Sequence, residues 1–403
     1  MGFFATIIAI LIAGDFIISW CADRLLRGTP HARWSRAVVG SFFLFQIAGL
    51  VLVLSSRVQP SLAHFISAKP ITAAIYLWHL TLLPPLLILC LAGLCWRAVL
   101  FGGKRLTGRK AAPVKRTEND VTRRTFLRVA AAAAPAVLTL GATAISLPQL
   151  NRLRLRRLTL RLPQLPLALD GLTIAHVTDV HVGRFTSGPV LDTILRTTNS
   201  LAADLVILTG DLINYEIRDL PVALDLVSRM QSRYGVFMCE GNHDLMDDAA
   251  AFGAQTRAAG VRLLVNEAEQ VQIGGEAIQL LGLQWGLGRT HSPQAARGDA
   301  PIAASMQALL QETDPTAFRI LLAHHPHAFD HATDIPLTLA GHTHGGQLML
   351  NSDAGFGPLL FRYWSGVYTR GDQHLVVSNG TGNWFPLRTA APAEIIHITL
   401  RKA

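Results

Sequence analysis

Cysteine is scarce in this sequence. Only four cysteines occur among 403 residues, at Cys21, Cys90, Cys95 and Cys239. The first three lie in long apolar stretches, and Cys239 lies in a predicted buried strand. This number and spacing argue against a disulfide framework and against a zinc site built from thiolates.

Acidic residues are equally scarce in the first part of the chain. Residues 1–150 carry 16 lysines and arginines against 4 acidic residues, whereas residues 151–403 carry 20 against 23. The net charge of +9 therefore does not mark a nucleic-acid surface on the second part, and no nucleic-acid partner is expected. A mean hydropathy of +0.33 is high for an ordinary soluble protein and low for a protein that lies wholly in a membrane.

The apolar residues of the first part fall into stretches long enough to cross a bilayer. Pro84 and Pro85 predict a kink in the third stretch. Asp15 and His79 would lie at membrane depth, which makes them functional candidates, although a simple contact between helices is the plainer interpretation. The four predicted spans cover residues 3–22, 37–56, 71–100 and 129–147.

The basic residues of the first part predict an orientation. The loops 23–36 and 102–128 are rich in arginine and lysine, whereas the loop 57–70 has only two such residues. The positive-inside rule then places the two basic loops in the cytoplasm and residues 151–403 on the outer face of the membrane. Arginines spaced through 152–161 are unusual on that side, so the inverted orientation stays open.

The segment before the fourth span resembles an export signal. Residues 122–128 read Thr-Arg-Arg-Thr-Phe-Leu-Arg, which is similar to a twin-arginine signal, and residues 142–144 offer a cleavage site. The alternative is an uncleaved anchor with ordinary flanking charges. We therefore expect three spans and a basic cytoplasmic loop in 1–128, a fourth span or export-type anchor in 129–150, and a globular domain in 151–403.

The second part of the chain predicts an α/β fold. Short buried strands alternate with helical segments such as 219–232, and Gly274-Gly275 predicts a hairpin turn. Polar motifs follow five of the strands, at the carboxyl ends where open α/β sheets place their sites. These motifs are Asp179-Val180-His181, Gly210-Asp211, Gly241-Asn242-His243-Asp244, His324-His325-Pro326 and Gly341-His342-Thr343-His344.

Seven side chains in these motifs are candidate metal ligands. A mixed oxygen and nitrogen set without thiolate suits Mn, Fe, Zn or Co. Seven ligands are too many for one tetrahedral ion but suit two ions that share a carboxylate, a site that favours attack on phosphate esters. The candidates are Asp179, His181, Asp211, Asn242, His324, His342 and His344.

The order of the five motifs resembles the calcineurin-like metallophosphoesterases, over about residues 170–400. Val377–Gly382 and Ala393-Glu394-Ile395 resemble the membrane-tethered bacterial branch of that family. The resemblance implies an α/β/β/α sandwich behind an all-α transmembrane region. It also implies hydrolysis of phosphodiesters or phosphomonoesters by a hydroxide that bridges two metal ions.

The resemblance also implies a role for each matched residue. His243 would protonate the leaving group and Asp244 would orient His243. The His-x-Pro spacing selects His324 over His325 as a ligand. Metal one would be held by Asp179, His181 and His344, metal two by Asn242, His324 and His342, and Asp211 would bridge them.

The substrate is less well defined than the metals. We expect an acidic pair where Gln284-Trp285 stands and a basic residue where Asn379 stands, so His325, Asn379 and Trp285 are only candidate substrate contacts. An aromatic set near the motifs forms either part of the core or an apolar rim that dips into the bilayer. It comprises Trp285, Phe356, Phe361, Tyr363, Trp364 and Trp384.

Three functions compete at this point. The first is a hydrolase of a lipid-linked or cell-envelope phosphate ester at the outer face of the bacterial inner membrane, with the twin-arginine machinery as a partner. The second is a cytoplasm-facing pyrophosphatase acting on a UDP-diacylglucosamine-type lipid. The third is a metal-bound scaffold or sensor without activity, which His243 and Asp244 argue against because a scaffold needs no acid.

Overall fold

The computed structural model describes residues 2–59, 62, 65, 68–107, 118–285, 300–347, 349, 354–355, 357–359 and 361–403. The chain forms two compact units, which comprise residues 1–147 and 148–403. We call them the apolar unit and the sandwich unit. Phe356 lies outside the described residues.

The apolar unit consists of helices, and all four predicted spans are helical. Among the described residues, four helical stretches are long and apolar enough to cross a membrane, covering 6–26, 32–56, 69–100 and 123–150. The elements are α1 (Gly2–Leu26), α2 (Ala32–Val58), α3 (Lys69–Tyr76), a π-helical segment (Leu77–Leu82), α4 (Leu83–Thr107) and α5 (Glu118–Leu150).

The third span changes its helical winding just before the proline pair. Pro84 has no amide hydrogen, and its ring needs the space that the carbonyl group four residues earlier would occupy. The amide of Leu83 bonds to the carbonyl of Trp78, five residues back, as the wider π turn requires. The proline pair therefore lies at the end of a π-helical segment within one continuous helical stretch.

The outer surface of the apolar unit is apolar. Among the described residues, 22 of the 26 exposed large hydrophobic side chains belong to residues 1–147. Examples are Trp34 and Leu44, which are 77% and 69% exposed. Soluble surfaces rarely carry such continuous apolar area, so this unit is suited to a membrane.

The sandwich unit contains two six-stranded sheets. The first has the strand order β1 (Leu153–Leu162), β12 (Ala393–Lys402), β2 (Thr173–Val177), β3 (Leu205–Thr209), β4 (Val236–Cys239), β5 (Arg262–Leu263). The second has the order β10 (Gly366–Arg370), β11 (Gln373–Val377), β9 (Leu337–Ala340), β8 (Phe318–Leu322), β7 (Glu276–Gly282), β6 (Glu267–Ile273). The helices are α6 (Pro189–Ser200), α7 (Leu220–Ser228), α8 (Ala249–Ala258), α9 (Ala300–Gln311) and α10 (Ala328–His331).

The side-chain period of the strands builds the four layers. In β3, Leu205 and Ile207 face a core shared by both sheets, whereas Val206 and Leu208 face α6, α7 and α8. On the other side, Leu321 of β8 packs under α9 and α10. Both faces of each sheet are covered, which explains why these strands are continuous runs of apolar residues. The predicted α/β/β/α sandwich is confirmed.

Three local features differ from or complete the sequence analysis. Helix α7 ends at Ser228 rather than at 232, because the amide of Gln231 bonds to the side chain of Asn199 on α6 and leaves the helical ladder. Strand β10 has no counterpart among the predicted strands. Gly274 and Gly275 do form the turn between the antiparallel β6 and β7.

Two of the five arginines after the fourth span are tied to the fold. Arg154 and Arg156 of β1 lie on one face of the strand, as their alternation indicates. Arg154 pairs with the fully buried carboxylate of Glu394 on β12, and Arg156 lies 3.9 Å from it. Two basic residues that are unusual on an outer face are thus explained by an internal partner.

Candidate metal centre

The predicted ligands follow strands of both sheets and meet at one edge of the sandwich. Parallel pairing of β2, β3 and β4 puts their carboxyl ends side by side, and β8 and β9 do the same in the second sheet. Asp179 and His181 follow β2, Asp211 follows β3, Asn242 follows β4, His324 follows β8, and His342 and His344 follow β9.

The backbone at this edge is strained. Five of the seven predicted ligands have left-handed dihedral angles, at a cost of about 1–3 kcal/mol each for a residue other than glycine. Hydrogen bonds between the loops hold this conformation, for example from the amide of Asp179 to the carbonyl of Gly210 at 3.0 Å. The φ angles are 51° for Asp179, 49° for His181, 52° for Asp211, 72° for His342 and 50° for His344.

Two glycines allow the loops to approach each other. A Cβ atom on Gly341 would lie 2.1 Å from Oδ2 of Asp179, and one on Gly241 would lie 2.2 Å from Oδ1 of Asp211. With Gly341 in place, the amide of His342 donates to both carboxylate oxygens of Asp179 at 3.0 and 3.1 Å. The glycine of each motif is therefore required by the close contact, whatever the local turn type.

Asp179, His181 and His344 form the first donor group. Nε2 of His344 lies 3.1 Å from Oδ1 of Asp179 and 3.0 Å from Nε2 of His181. Nε2 of His181 lies 3.7 Å from the same carboxylate oxygen. All three side chains are buried, and their donor atoms lie within 4.8 Å of one another.

Asp211, His324 and His342 form the second donor group. Nε2 of His324 lies 3.1 Å from Oδ2 of Asp211, and the donor atoms of the three residues also lie within 4.8 Å of one another. Asn242 extends this group, since its Oδ1 lies 3.0 Å from Nδ1 of His342. The structure thus brings all seven predicted ligands together.

Asp211 lies between the two groups. Its Oδ2 is 3.5 Å from Nε2 of His181 and 3.1 Å from Nε2 of His324. Its Oδ1 accepts the amide hydrogen of His243 at 2.8 Å, which fixes the carboxylate plane. This is the position that a carboxylate shared by two ions requires.

The donor set attracts cations. Nδ1 of His324 lies 2.7 Å from the carbonyl of Thr209, which can only accept, so this nitrogen carries a hydrogen. That leaves the buried Nε2, 3.1 Å from Oδ2 of Asp211, as the nitrogen that can take a proton or a metal ion. Burial lowers the pKa of His324, but Asp211 and Asp179 outweigh it and raise that pKa to about 9. The two carboxylates thus draw positive charge to Nε2, and a metal ion would take the place of the proton there.

The remaining ligands are in the protonation states that metals need. Burial lowers the pKa of both His181 and His342 to about 3, so their rings are neutral at pH 7. Burial works against ionisation of Asp179 and Asp211, yet the neighbouring histidines hold the pKa of each below its usual value. Neutral imidazoles beside carboxylates are the ligand forms of these residues.

The structure corrects the role expected for Asp244. Its carboxylate accepts the amides of Leu212, Ile213 and Gly241 at 2.8 to 3.1 Å, and thereby ties the loops after β3 and β4 together. Burial and then the charge of Asp211 raise its pKa to about 8. Its oxygens are therefore turned toward the backbone rather than toward His243.

The group that orients His243 is a backbone carbonyl. Nδ1 of His243 donates to the carbonyl oxygen of Asn214, which leaves Nε2 as the nitrogen available for chemistry. The ring lies 4.6 Å from the ring of His181 and 5.9 Å from that of Trp384, centroid to centroid. His181, Asp211 and His243 also form a third group of possible donors, so His243 is close enough either to ligate or to act on a bound substrate.

Sequence reasoning missed one residue behind the first donor group. Arg388 is fully buried, and its Nη2 lies 3.3 Å from Nδ1 of His344. The guanidinium donates to the carbonyls of Asn379, Ala391 and Gly382, all from the segment that closes over Asp179. Burial lowers its pKa to about 10, so it remains a cation. The sequence feature that could have revealed Arg388 is its position as the single charged residue in the largely apolar run 385–391.

The three candidate substrate contacts are placed differently. Asn379 is fully buried and accepts a hydrogen bond from Ser365, so it supports the loop rather than facing solvent. Trp285 packs against the rings of His324, His325 and His342 at 4.9 to 5.4 Å. Burial holds the pKa of His325 well below its usual value.

The predicted aromatic rim is only partly present in the described residues. Tyr363 is buried and its hydroxyl donates to Asp330 at 2.7 Å. Trp285, Phe361 and Trp364 are half-buried, and Trp384 is exposed over 39% of its surface. Trp384 is therefore the member of this set best placed to meet a ligand beside His243.

Comparison with known proteins agrees with this site. The model of the calcineurin-like phosphoesterase family matches residues 172–346, from the start of β2 to the last histidine motif. Residues 172–346 are thus similar to a calcineurin-like phosphoesterase domain. The edge that carries the candidate metal ligands lies within the matched residues.

Individual relatives match somewhat more than half of this chain. An uncharacterized metallophosphoesterase of Campylobacter jejuni is 30% identical over 251 residues, which are 59% of this chain and 61% of that protein. A transmembrane protein with metallophosphoesterase domain of Danio rerio is 30% identical over 60% of this chain and 55% of its own length. The phosphodiesterase YaeI of Escherichia coli is 26% identical over 56% of this chain and 81% of its own length. The chain thus spans little more than half of the first two relatives.

Proposed function

We propose that this protein is a membrane-anchored, metal-dependent phosphoesterase that hydrolyses phosphodiesters or phosphomonoesters. The observation that carries the proposal is the convergence of two donor groups on Asp211. Two divalent cations held there would activate a water molecule and neutralise the oxygens of a phosphate ester. The E. coli relative named a phosphodiesterase supports the same reaction class.

Each candidate ligand then has a defined task. Asp179, His181 and His344 would hold one cation, Asn242, His324 and His342 would hold the other, and Asp211 would be shared between them. The donor set suits Mn, Fe, Zn or Co, and we propose Mn as the first metal to try. The strained loops keep these donors in place before any substrate arrives, so little reorganisation is needed when charge develops on the phosphate.

His243 is the proposed proton donor. The carbonyl of Asn214 fixes the hydrogen on Nδ1, so a proton on Nε2 can be given to the leaving oxygen. Asp244 supports this role indirectly, because it fixes the loops that carry Asp211 and His243. The leaving group departs with the proton, and the ring regains it from water.

A lipid-linked or cell-envelope phosphate ester is the proposed substrate class. Four apolar helices and the membrane-protein relative of Danio rerio support a location in the membrane. Trp384, exposed beside His243, supports contact with an apolar or planar leaving group. We further propose that the helices span the bacterial inner membrane, with the sandwich unit on the outer face after export by the twin-arginine machinery.

The activity is tested on the full chain in detergent micelles. Metal is removed with a chelator, Mn is added back, and hydrolysis of an aryl phosphodiester is followed. Asp211→Ala should reduce turnover to background, since both donor groups lose a shared ligand, whereas His325→Ala should retain it. Turnover by Asp211→Ala would refute the mechanism, and absence of turnover with any of the four metals would favour the scaffold alternative.

The orientation is tested with reporters fused after residue 403. An alkaline phosphatase reporter should be active, because it folds only outside the cytoplasm, and a fluorescent cytoplasmic reporter should stay dark. The opposite result would favour the cytoplasm-facing pyrophosphatase. Replacing Arg123 and Arg124 together by lysine should block export if the twin-arginine route is used, and unchanged export would point to an ordinary anchor.

A further inference from the structure

An acid and an imidazole are buried together inside the apolar unit. Asp15 of α1 and His79 of the π-helical segment expose 0% and 1% of their side chains. Oδ2 of Asp15 lies 3.0 Å from Nε2 of His79, and Oδ1 accepts the indole hydrogen of Trp78 at 2.7 Å. Ionisable groups buried among apolar helices are costly, so such a pair needs an explanation beyond packing.

The hydrogen bonds determine how many protons the pair holds. Nδ1 of His79 lies 2.8 Å from the carbonyl oxygen of Ile75, which only accepts, so Nδ1 carries a hydrogen. A second proton must lie between Nε2 and Oδ2, because two lone pairs facing each other at 3.0 Å would repel. With that proton the pair is neutral as a whole, whether the proton belongs to Asp15 or to His79.

Apolar side chains surround the indole ring that the pair contacts. Within the described residues, the cluster around Trp78 is apolar and draws on α1, α2, α4 and α5. From α2, the rings of Phe42 and Phe43 meet Trp78 edge-on at 5.3 and 5.8 Å. The buried members of this cluster are Ile18, Ala22, Leu26, Phe43, Trp78, Leu83 and Ala132.

A polar atom on the same face of α2 adds a second observation. Gln46 lies one turn after Phe42 and Phe43 and is 1% exposed. Its Oε1 is buried and has no hydrogen-bond partner among the described atoms. A buried acceptor without a donor is rare in folded proteins. Gln46 therefore offers an additional acceptor on a face that otherwise packs against Trp78 and Ile75.

The π-helical segment explains how one carboxylate reaches two consecutive residues. On an α-helix, neighbouring side chains point about 100° apart. The wider turn of the π-helical segment reduces this angle, so that Trp78 and His79 both contact Asp15. Pro84 imposes that turn, and the geometry of the pair thus follows from the proline position.

We propose that Asp15 and His79 form a proton-binding site inside the apolar unit, occupied by one proton that both side chains share. The occupied site is neutral and holds α1 against the π-helical segment. Loss of the proton leaves a buried anion, and gain of a second proton leaves a buried cation, so either change weakens this helix contact. The proposal is independent of the phosphoesterase activity.

The proton count is measured on the full chain in lipid nanodiscs at pH 7. Isotope-edited infrared spectra of labelled aspartate report the Asp15 carboxyl group, with Asp15→Asn as the reference, and nitrogen NMR reports the His79 ring. Either a carboxylic acid beside a singly protonated ring or a carboxylate beside a doubly protonated ring supports the proposal. A carboxylate beside a singly protonated ring, or an acid beside a doubly protonated ring, overturns it.

Substitutions give a second measurement through the unfolding temperature. Asp15→Asn keeps both hydrogen bonds, since its oxygen accepts from Trp78 and its amide donates to a neutral His79, so it should stay close to wild type at pH 7. Asp15→Leu leaves the indole of Trp78 and Nε2 of His79 without partners and should lower the unfolding temperature clearly. If Asp15→Asn is as damaging as Asp15→Leu, hydrogen bonds within a neutral pair do not hold α1 against the π-helical segment, and the proposal is contradicted.

A control substitution separates the site from general effects. Asp23→Asn is the matched control on α1, since its carboxylate is partly exposed and already paired with Arg27 and Arg36. Asp23→Asn should lower the unfolding temperature far less than Asp15→Leu, and an equal loss for both would contradict a specific role of the buried pair.

Discussion

The two units bury carboxylates beside histidines in opposite ways. In the sandwich unit, Nε2 of His324 faces Asp211 without a hydrogen bond to it, and several such donors converge. In the apolar unit, every polar side-chain atom of Asp15 and His79 has a hydrogen-bond partner, which is the other side chain, Trp78 or a backbone carbonyl. The difference indicates that buried lone pairs without a hydrogen-bond partner suit metal cations, whereas a fully hydrogen-bonded pair needs only a shared proton.

The largest expected effect concerns His243, which lies beside the two donor groups. We propose it as the proton donor rather than as a metal ligand. His243→Gln should reduce kcat about 10²–10⁴-fold for an alkyl phosphodiester, because the leaving oxygen loses its proton donor. The loss should be smaller for a nitrophenyl ester, whose leaving group needs no proton.

Metal content separates the two roles of His243. If it is the acid, His243→Gln should bind as much metal as wild type by elemental analysis. A fall in bound metal together with an equal loss for both esters would make it a ligand instead.

Substitution of Arg388 tests whether the first donor group depends on the side chain that lies behind it. Arg388→Met removes a buried cation and leaves several buried carbonyls unpaired, at a cost of about 1–3 kcal/mol for each group left unsatisfied. We expect a loss of about 3 kcal/mol or more in unfolding free energy and weaker metal binding, measured by denaturant titration and by metal titration.

Arg388→Lys is the matched control because it keeps the charge but not the planar fork of donors. It should recover part of the stability and little of the metal affinity. Full recovery of both would mean that charge alone, rather than the positioning of His344, is what Arg388 supplies.

Metal removal tests the comparison between the units directly. A cation at a concentration about 100 times its dissociation constant stabilises its site by about 2.7 kcal/mol. A chelator should therefore lower the unfolding temperature reported by Trp285 and Trp384 in the sandwich unit. The infrared signal of Asp15 should not change, and a change there would show that the closed pair also depends on metal.

The smallest expected effect concerns Asp219, a half-buried carboxylate of the sandwich unit. Burial, with a smaller contribution from Glu216, raises its pKa to about 6. Because the folded pKa exceeds the unfolded value, the folded state is penalised above pH 6 and the penalty disappears below about pH 4.

Asp219→Asn should therefore raise the unfolding temperature slightly at pH 8 and leave it unchanged at pH 4. The gain is limited, since water screens a side chain that is only half buried. A gain of equal size at both pH values would show that the carboxylate charge is not its cause.

The sequence alone predicted the chemistry of the centre better than its geometry. Asp179, Asp211 and His344 were identifiable because strand periodicity placed each in a motif after the carboxyl end of a strand. The left-handed φ angles of these residues were not, because only hydrogen bonds between neighbouring loops make that conformation affordable. The seven predicted ligands do meet, while their individual roles stay predictions.

Contacts between distant segments account for what was missed. Asp244 stands next to His243 in sequence, yet its oxygens bond to amides after β3, and Asn214 takes the predicted role through its backbone. Backbone carbonyls carry no residue-specific signal. Arg388 was hidden for a related reason, since its partners are carbonyl groups rather than an acidic side chain visible in the sequence.

Strands β1 and β12 pair in parallel over ten residues, from Leu153 beside Ala393 to Leu162 beside Lys402. Strand β1 is therefore the edge strand of the first sheet, and β12 would become the edge strand without it. Any engineered soluble version of the sandwich unit must begin before Leu153. A version that begins at β2 would leave the backbone N–H and C=O groups on one side of the long β12 unpaired. Other chains could pair with them, and the version would aggregate.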